Sequence, residues 1–95
     1  MSGPSDDDMA GQALVRWSLH ALREVRRRSL SVEQVEQVAR EPEQVVAVRP
    51  GREVRQSRDD RGGLVRVIMT VEENPPLIVT AYRTSKVQKY WQVNP

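Results

Sequence analysis

Two stretches of strict alternation, "LVRVIMTVE" at residues 64 to 72 and "LIVTAYRT" at residues 77 to 84, constrain this chain more than any other feature. In the first, Val65, Val67, Met69 and Val71 fall on one side, with Arg66, Ile68 and Thr70 on the other. In the second, Leu77, Val79 and Ala81 oppose Ile78, Thr80, Tyr82 and Thr84. A period of two is the repeat of a β-strand, so each run predicts a strand with one face available to a covering layer. An N-P-P break separates them. Upstream, residues 44 to 49 (QVVAVR) and 52 to 57 (REVRQS) flank the turn signal Pro50–Gly51, and residues 58 to 63 (RDDRGG) form a second polar connection.

Nearer the N-terminus the period changes to that of a helix. Ser18 is a suitable N-cap, and in the run to Arg28 the residues Ala21, Leu22 and Val25 share one side of a helical wheel. His20, Arg23, Glu24 and Arg27 fall on the opposite side. Ser31 opens a second helix with the capping-box form S-V-E-Q, its stripe being Val32, Val35, Val38 and Ala39, and Pro42 ends it. Ser29 and Leu30 join the two as an αα-hairpin. Residues 13 to 17 (ALVRW) fit either a short strand or the beginning of the first helix. The predicted fold is α+β, two N-terminal helices packed on a twisted antiparallel sheet of three or four strands.

With 95 residues the chain allows one domain, too small to enclose a bulky cofactor, so a shallow surface site is expected. It has no cysteine and one histidine, which excludes disulfides, thiolate metal sites and a usual zinc set. A metal-free mechanism with no cofactor is the expectation, carboxylate-bound magnesium being the alternative. Residues 1 to 11 (MSGPSDDDMAG) read as a disordered acidic leader, leaving residues 12 to 95 as the single folded domain. Three of the 13 carboxylates lie in that leader, so 10 face all 15 cations in the remainder, a net charge of +5. A surface that basic attracts RNA, DNA or an acidic protein. With no run of about 18 apolar residues and no basic and apolar leader, the expectation is a cytoplasmic protein without a membrane span.

The segment "LHALREVRRRSLS", residues 19 to 31, sets His20 beside four arginines. Near a helix start the dipole favours the neutral imidazole that a general base needs. Arg23 and Arg27 follow one and two turns later and suit a phosphate, or solvate the helix with Glu24. Arg28 borders the apolar side. The stretch "TAYRTSKVQKYW", residues 80 to 91, interleaves hydroxyls, cations and aromatics, a combination that clamps a phosphate and stacks a base. Tyr82, Arg83, Ser85, Lys86, Lys89, Tyr90 and Trp91 belong to it, Trp91 capping the core as the alternative, with Arg66 displayed on the neighbouring strand. No P-loop, G-x-S-x-G elbow, H-E-x-x-H or paired-carboxylate pattern is present.

The run "SLHALREVRRRSLSVEQVEQVAREPEQVV", with "GREVRQS" and "LVRVIMTVEENPPLIVTAYRTSK" after it, resembles the bacterial domain-of-unknown-function family 4258. That family's pattern is a strand, H-A-x-x-R-x-x-x-R-G-[IL]-S, and a meander ending in T-x-Y or T-x-x-x-S-K. The resemblance covers about residues 13 to 91 and tilts residues 13 to 17 toward a strand. The family's usual Gly is Ser29 here, which tightens that loop. Such domains are similar to RelE-like, barnase-like and BrnT-like ribonuclease toxins, which implies metal-independent cleavage of RNA and a cognate antitoxin or other small protein partner. Position by position, His20 matches the family His, Arg28 the Arg before the turn, and Thr80, Tyr82, Ser85 and Lys86 the terminal motif.

From these readings the expected function is a toxin-type endoribonuclease, the alternative being a non-catalytic basic module that binds protein or RNA. In the first, His20 takes the proton of a ribose 2′-OH, Lys86 and Arg23 or Arg83 stabilise the phosphorane, and Tyr82 protonates the leaving oxygen or stacks on a base. Arg23, Arg27, Arg66, Arg83, Ser85 and Lys89 are the expected RNA-binding residues.

Overall fold

In the computed structural model, which describes residues 14–93, the chain is an α+β fold of three helices and a five-stranded sheet. The acidic leader lies outside the described residues. Strand β1 (Arg16–Trp17) is followed by α1 (Leu19–Arg27), α2 (Val32–Arg40), β2 (Gln44–Arg49), β3 (Arg52–Arg58), β4 (Leu64–Thr70), β5 (Leu77–Thr84) and α3 (Val87–Tyr90). No helix among the described residues is long and apolar enough to cross a membrane.

Both main helices begin where their caps place them. The Ser18 hydroxyl accepts from Ala21 N–H at 2.9 Å, and that of Ser31 from Gln34 N–H at 3.1 Å, each satisfying a donor the helix itself leaves unpaired. At the end of α1, Leu30 N–H reaches back to Val25 C=O at 2.9 Å and Ser29 N–H to Arg26 C=O at 3.0 Å. These are the two bonds of a Schellman motif, which needs a left-handed residue at its corner. Ser29 supplies it with φ +56°. A side chain in that region is disfavoured by its Cβ, so Ser29→Gly should raise stability by about 1 kcal/mol and the melting temperature by roughly 5 °C. An unchanged or lower thermal midpoint would contradict this.

The strand order is β1-β5-β4-β3-β2, with β1 parallel to β5 and every other pair antiparallel. The sheet therefore exceeds the expected three or four strands, and it is not wholly antiparallel. Residues 16 and 17 are too few to show a period, yet Arg16 N–H donates to Pro76 C=O at 2.8 Å and Ser18 N–H to Ile78 C=O at 3.1 Å. Ser18, by capping α1, keeps the helix from extending back through them. The Pro50–Gly51 turn forms as expected, with Gly51 at φ +81°.

Ala21, Val25, Val35, Val38 and Ala39 of the helices pack with Val65, Val67, Met69, Ile78 and Ala81 of the sheet. The expected face of β4 is correct from Val65 to Met69, but Val71 lies past the strand end and is exposed. On β5 the expected pattern holds from Thr80 to Tyr82, with Ala81 alone of the three in the core, and fails before it. Ile68 pairs with Thr80 while Met69 pairs with Ile78, so Val79 is an extra residue in a bulge. The bulge resets the alternation and brings Ile78 to the same core as Ala81. At the C-terminal end of α2, Arg55 donates to Ala39 C=O at 2.6 Å and pairs with Glu53, fastening the helix to β3.

Candidate functional site

Helices cover one face of the sheet; α1 lies over β5, and α2 over β4 and β3. Strand β1 pairs only with Leu77 and Ile78, so β5 has an unpaired outer edge from there onward. Helix α1 runs beside this edge. At its head the Ser18 hydroxyl lies 3.5 Å from Val79 C=O, and at its end Arg28 Nη1 donates to Ala81 C=O at 2.7 Å and lies 3.4 Å from the Thr80 hydroxyl. Arg28 also pairs with Glu24 at 3.0 Å. His20, Glu24 and Arg28, spaced by four, form one stripe along α1. The Glu24 carboxyl is held below its usual range first by the Arg27 hydrogen bond and then by the charges of Arg27 and Arg28. His20 and Arg23 are exposed. Arg27 is taken up by Glu24 at 2.6 Å.

On the face opposite α1 and α2 a second group is built by strand register. Gln44 pairs with Gln56, Gln56 with Arg66, and Arg66 with Tyr82, a polar row across four strands. Gln56 is fully buried at its centre. Its carbonyl accepts from Arg66 Nε at 2.8 Å, while its amide donates to Gln44 Oε1 at 2.8 Å and to Tyr90 C=O at 3.0 Å. Arg66 Nη1 donates to the Tyr82 hydroxyl at 2.5 Å, and its guanidinium lies 4.1 Å from the Tyr90 ring centre. The Gln44 side chain exchanges two hydrogen bonds with the backbone of Gln92, at 2.6 and 3.0 Å. Two glutamine amides thus bind α3 and the residues after it onto the sheet. Lys89, 5.2 Å from the Tyr90 ring, lowers the Tyr90 hydroxyl below its ordinary range, with hydrogen bonds to Lys89 and Tyr82 and the charge of Arg66 adding to the effect. Arg58 stacks on Trp91 at 4.6 Å.

Of the expected site residues, Arg28 and Thr80 meet at the β5 edge and His20 lies two turns back on the same stripe of α1, while Tyr82 stands two residues along β5 from Thr80 with its hydroxyl turned to Arg66. Two of the expected residues stand apart from that edge. Lys86 does not join the Arg28–Thr80 contact: at about 3.3 Å per residue, the strand from Thr80 to Thr84 already spans about 13 Å, and Lys86 lies beyond it. It lines a separate shallow concavity with Gly62, Ser85, Val87, Gln88 and Lys89. Nor is Arg83 a free cation. Two residues on from Ala81 and on the same face, it stands beside Val65, where its guanidinium binds the Asp59 carboxylate at 2.5 Å and Arg61 C=O at 3.3 Å. Gln56, Arg58 and Asp59 were not among the expected site residues. Their partners lie on other strands, and the sole signal available was the polar character of Gln56 inside a strand.

Among the described residues no cluster of His, Asp and Glu is arranged to hold a metal ion. The profile of a family described as a domain of unknown function, DUF4258, matches residues 17–83. No curated protein and no solved structure matches the chain.

Proposed function

The chain belongs to the DUF4258 family, and we propose that it is a metal-independent endoribonuclease of toxin–antitoxin type whose reacting groups lie at the outer edge of β5. The activity comes from the resemblance to RelE-like and BrnT-like toxins. One observation carries the placement: Arg28 and Thr80, motif positions 52 residues apart in the sequence, meet at 3.4 Å beside the stripe that bears His20.

At that edge, His20 takes the proton of the ribose 2′-OH, and the 2′-oxygen attacks its own phosphorus. Arg28 opposes the charge that grows on the phosphorane oxygens. The proton held by His20 then passes to the departing 5′-oxygen, leaving a 2′,3′-cyclic phosphate and a free 5′-hydroxyl. Tyr82 and Tyr90 present ring surface to neighbouring bases, while Lys86 and Lys89 meet phosphates farther along the strand. This separates the chemistry from the binding, in place of one cluster of His20, Tyr82 and Lys86. Exposed Arg23 extends the basic surface beside His20. The partner this reading calls for is an antitoxin whose acidic or amphipathic segment covers that surface.

The test is incubation of the purified chain with a mixed RNA pool in EDTA, together with RNA binding measured across a salt series. Cleavage should persist in EDTA and leave cyclic-phosphate ends, and affinity should fall steeply as salt rises. Salt-dependent binding without cleavage of any RNA, free or ribosome-bound, would replace the nuclease with a binding module. Absence of binding at low salt would remove both readings.

A further inference from the structure

Arg55, Arg58 and Arg83 bind the carboxylates of Glu53, Glu43 and Asp59, yet among the described residues no ion pair joins Arg66 or Lys89 to an acid. Arg66 is half-buried on β4, and a guanidinium withdrawn from water without a counter-charge costs stability that a bound anion would restore. The residue that holds it is neutral. Gln56, fully buried, accepts from Arg66 Nε at 2.8 Å, which fixes the direction of the guanidinium while leaving its charge unopposed.

Donors surround that charge. Arg66 Nη1 donates to the Tyr82 hydroxyl at 2.5 Å, so with Nε two of the five guanidinium N–H bonds are engaged and three remain without a protein acceptor among the described residues. The Tyr90 ring centre lies 4.1 Å from the Arg66 guanidinium and 5.2 Å from the Lys89 ammonium, so both cations border one ring. The Tyr90 hydroxyl meets Lys89 and the Tyr82 hydroxyl, and the charges acting on it are those of Lys89 and Arg66. Gln56 and Gln44 fasten the backbone of Tyr90 and Gln92 to the sheet, which holds the two halves of the cluster together.

Two positive charges, two hydroxyls and no paired acid complement a dianion with three acceptor oxygens, which is the chemistry of a phosphate monoester. A phosphodiester within a strand has one charge and two free oxygens and leaves part of the cluster unused. We infer that Arg66, Lys89, Tyr82 and Tyr90 form a binding site for a phosphate monoester, the terminal phosphate of an RNA strand. The inference rests on the proposed function for RNA as the source, a free nucleotide being the other source of the same group. The cyclic phosphate that cleavage leaves is itself a diester and fits poorly, so the site reads an end that the RNA already carries.

Calorimetric titration of the full chain with short 2′-O-methyl RNA tests it, because this RNA lacks the attacking 2′-OH and stays intact. Strands carrying a 5′-phosphate, a 3′-phosphate or hydroxyls at both ends are compared, with AMP as the free nucleotide. A phosphate-ended strand should bind at least about tenfold more tightly than the hydroxyl-ended one, and Lys89→Ala and Arg66→Ala should each reduce that ratio below about threefold. Arg66→Ala also strips the buried Gln56 carbonyl of a donor; if that variant does not fold, Lys89→Ala decides, since Lys89 is exposed. Equal affinity for phosphate-ended and hydroxyl-ended strands would overturn the inference, as would a preference that Lys89→Ala leaves intact. AMP binding as tightly as the phosphate-ended strand would overturn the RNA end as the source and give the site to a nucleotide. Cleavage is read separately on unmodified RNA. A chain that cuts without preferring a terminal phosphate keeps the nuclease and loses this site, whereas preference without cutting keeps the site and loses the nuclease.

Discussion

Replacing Asp59 with alanine should cost about 3 kcal/mol and lower the melting temperature by roughly 15 °C, the largest stability effect expected of any polar substitution in this chain. The carboxylate side chain is only 3% exposed. It receives Arg83 Nε, and it accepts Arg61 N–H and Gly63 N–H at 2.9 Å each, which folds the β3–β4 connection into a closed turn. Removing it leaves the Arg83 guanidinium unpaired beneath that turn, and an uncompensated charge costs more than the pair contributed. Arg83 is 24% exposed, which keeps the figure at the low end of the usual range. Asp59→Asn retains an oxygen for the two backbone donors and should lose about half as much.

The same contacts fix a pH dependence. The Arg83 hydrogen bond, helped by the two backbone N–H groups, holds the Asp59 carboxyl well below the usual carboxylate range despite its burial. A depressed folded value means that this contribution is complete above the ordinary value near ~4 and disappears as pH falls below it. Thermal melts from neutral pH downward should therefore show a constant gap between wild type and Asp59→Ala until about pH 4, then a narrowing gap. A gap that is already closing between pH 7 and 5, or that is absent, would show that the ion pair does not hold the turn.

His20→Ala should reduce RNA cleavage by about 100-fold or more while leaving the fold and RNA affinity within about twofold of wild type. Its side chain is exposed on α1, away from the buried Ala21 and Val25, so its loss opens no cavity. Arg28→Ala is a poorer probe, because that guanidinium also ties α1 to Ala81 and would lower stability together with turnover. Arg28→Lys keeps the charge but loses the paired geometry, so kcat should fall with little change in KM. Single-turnover cleavage in EDTA, with far-ultraviolet circular dichroism on each variant, distinguishes these outcomes. If His20→Ala cleaves as fast as wild type, the reacting base is not at the β5 edge.

Much of this protein was legible in local patterns. Ser18 and Ser31 cap helices because a hydroxyl meets an N–H three residues away, and Pro50–Gly51 turns because a single residue adopts positive φ. Alternation from Val65 to Met69 named a strand and its buried face correctly. All of these depend on interactions within a few residues, which a linear sequence displays directly. The parallel addition of β1, the bulge at Val79, the capture of Arg83 by Asp59, the meeting of Arg28 with Thr80 and the row through Gln56 belong to the tertiary structure alone. Each depends on the register between segments tens of residues apart, and because side chains alternate across a sheet, a shift of one residue sends a cation to the opposite face.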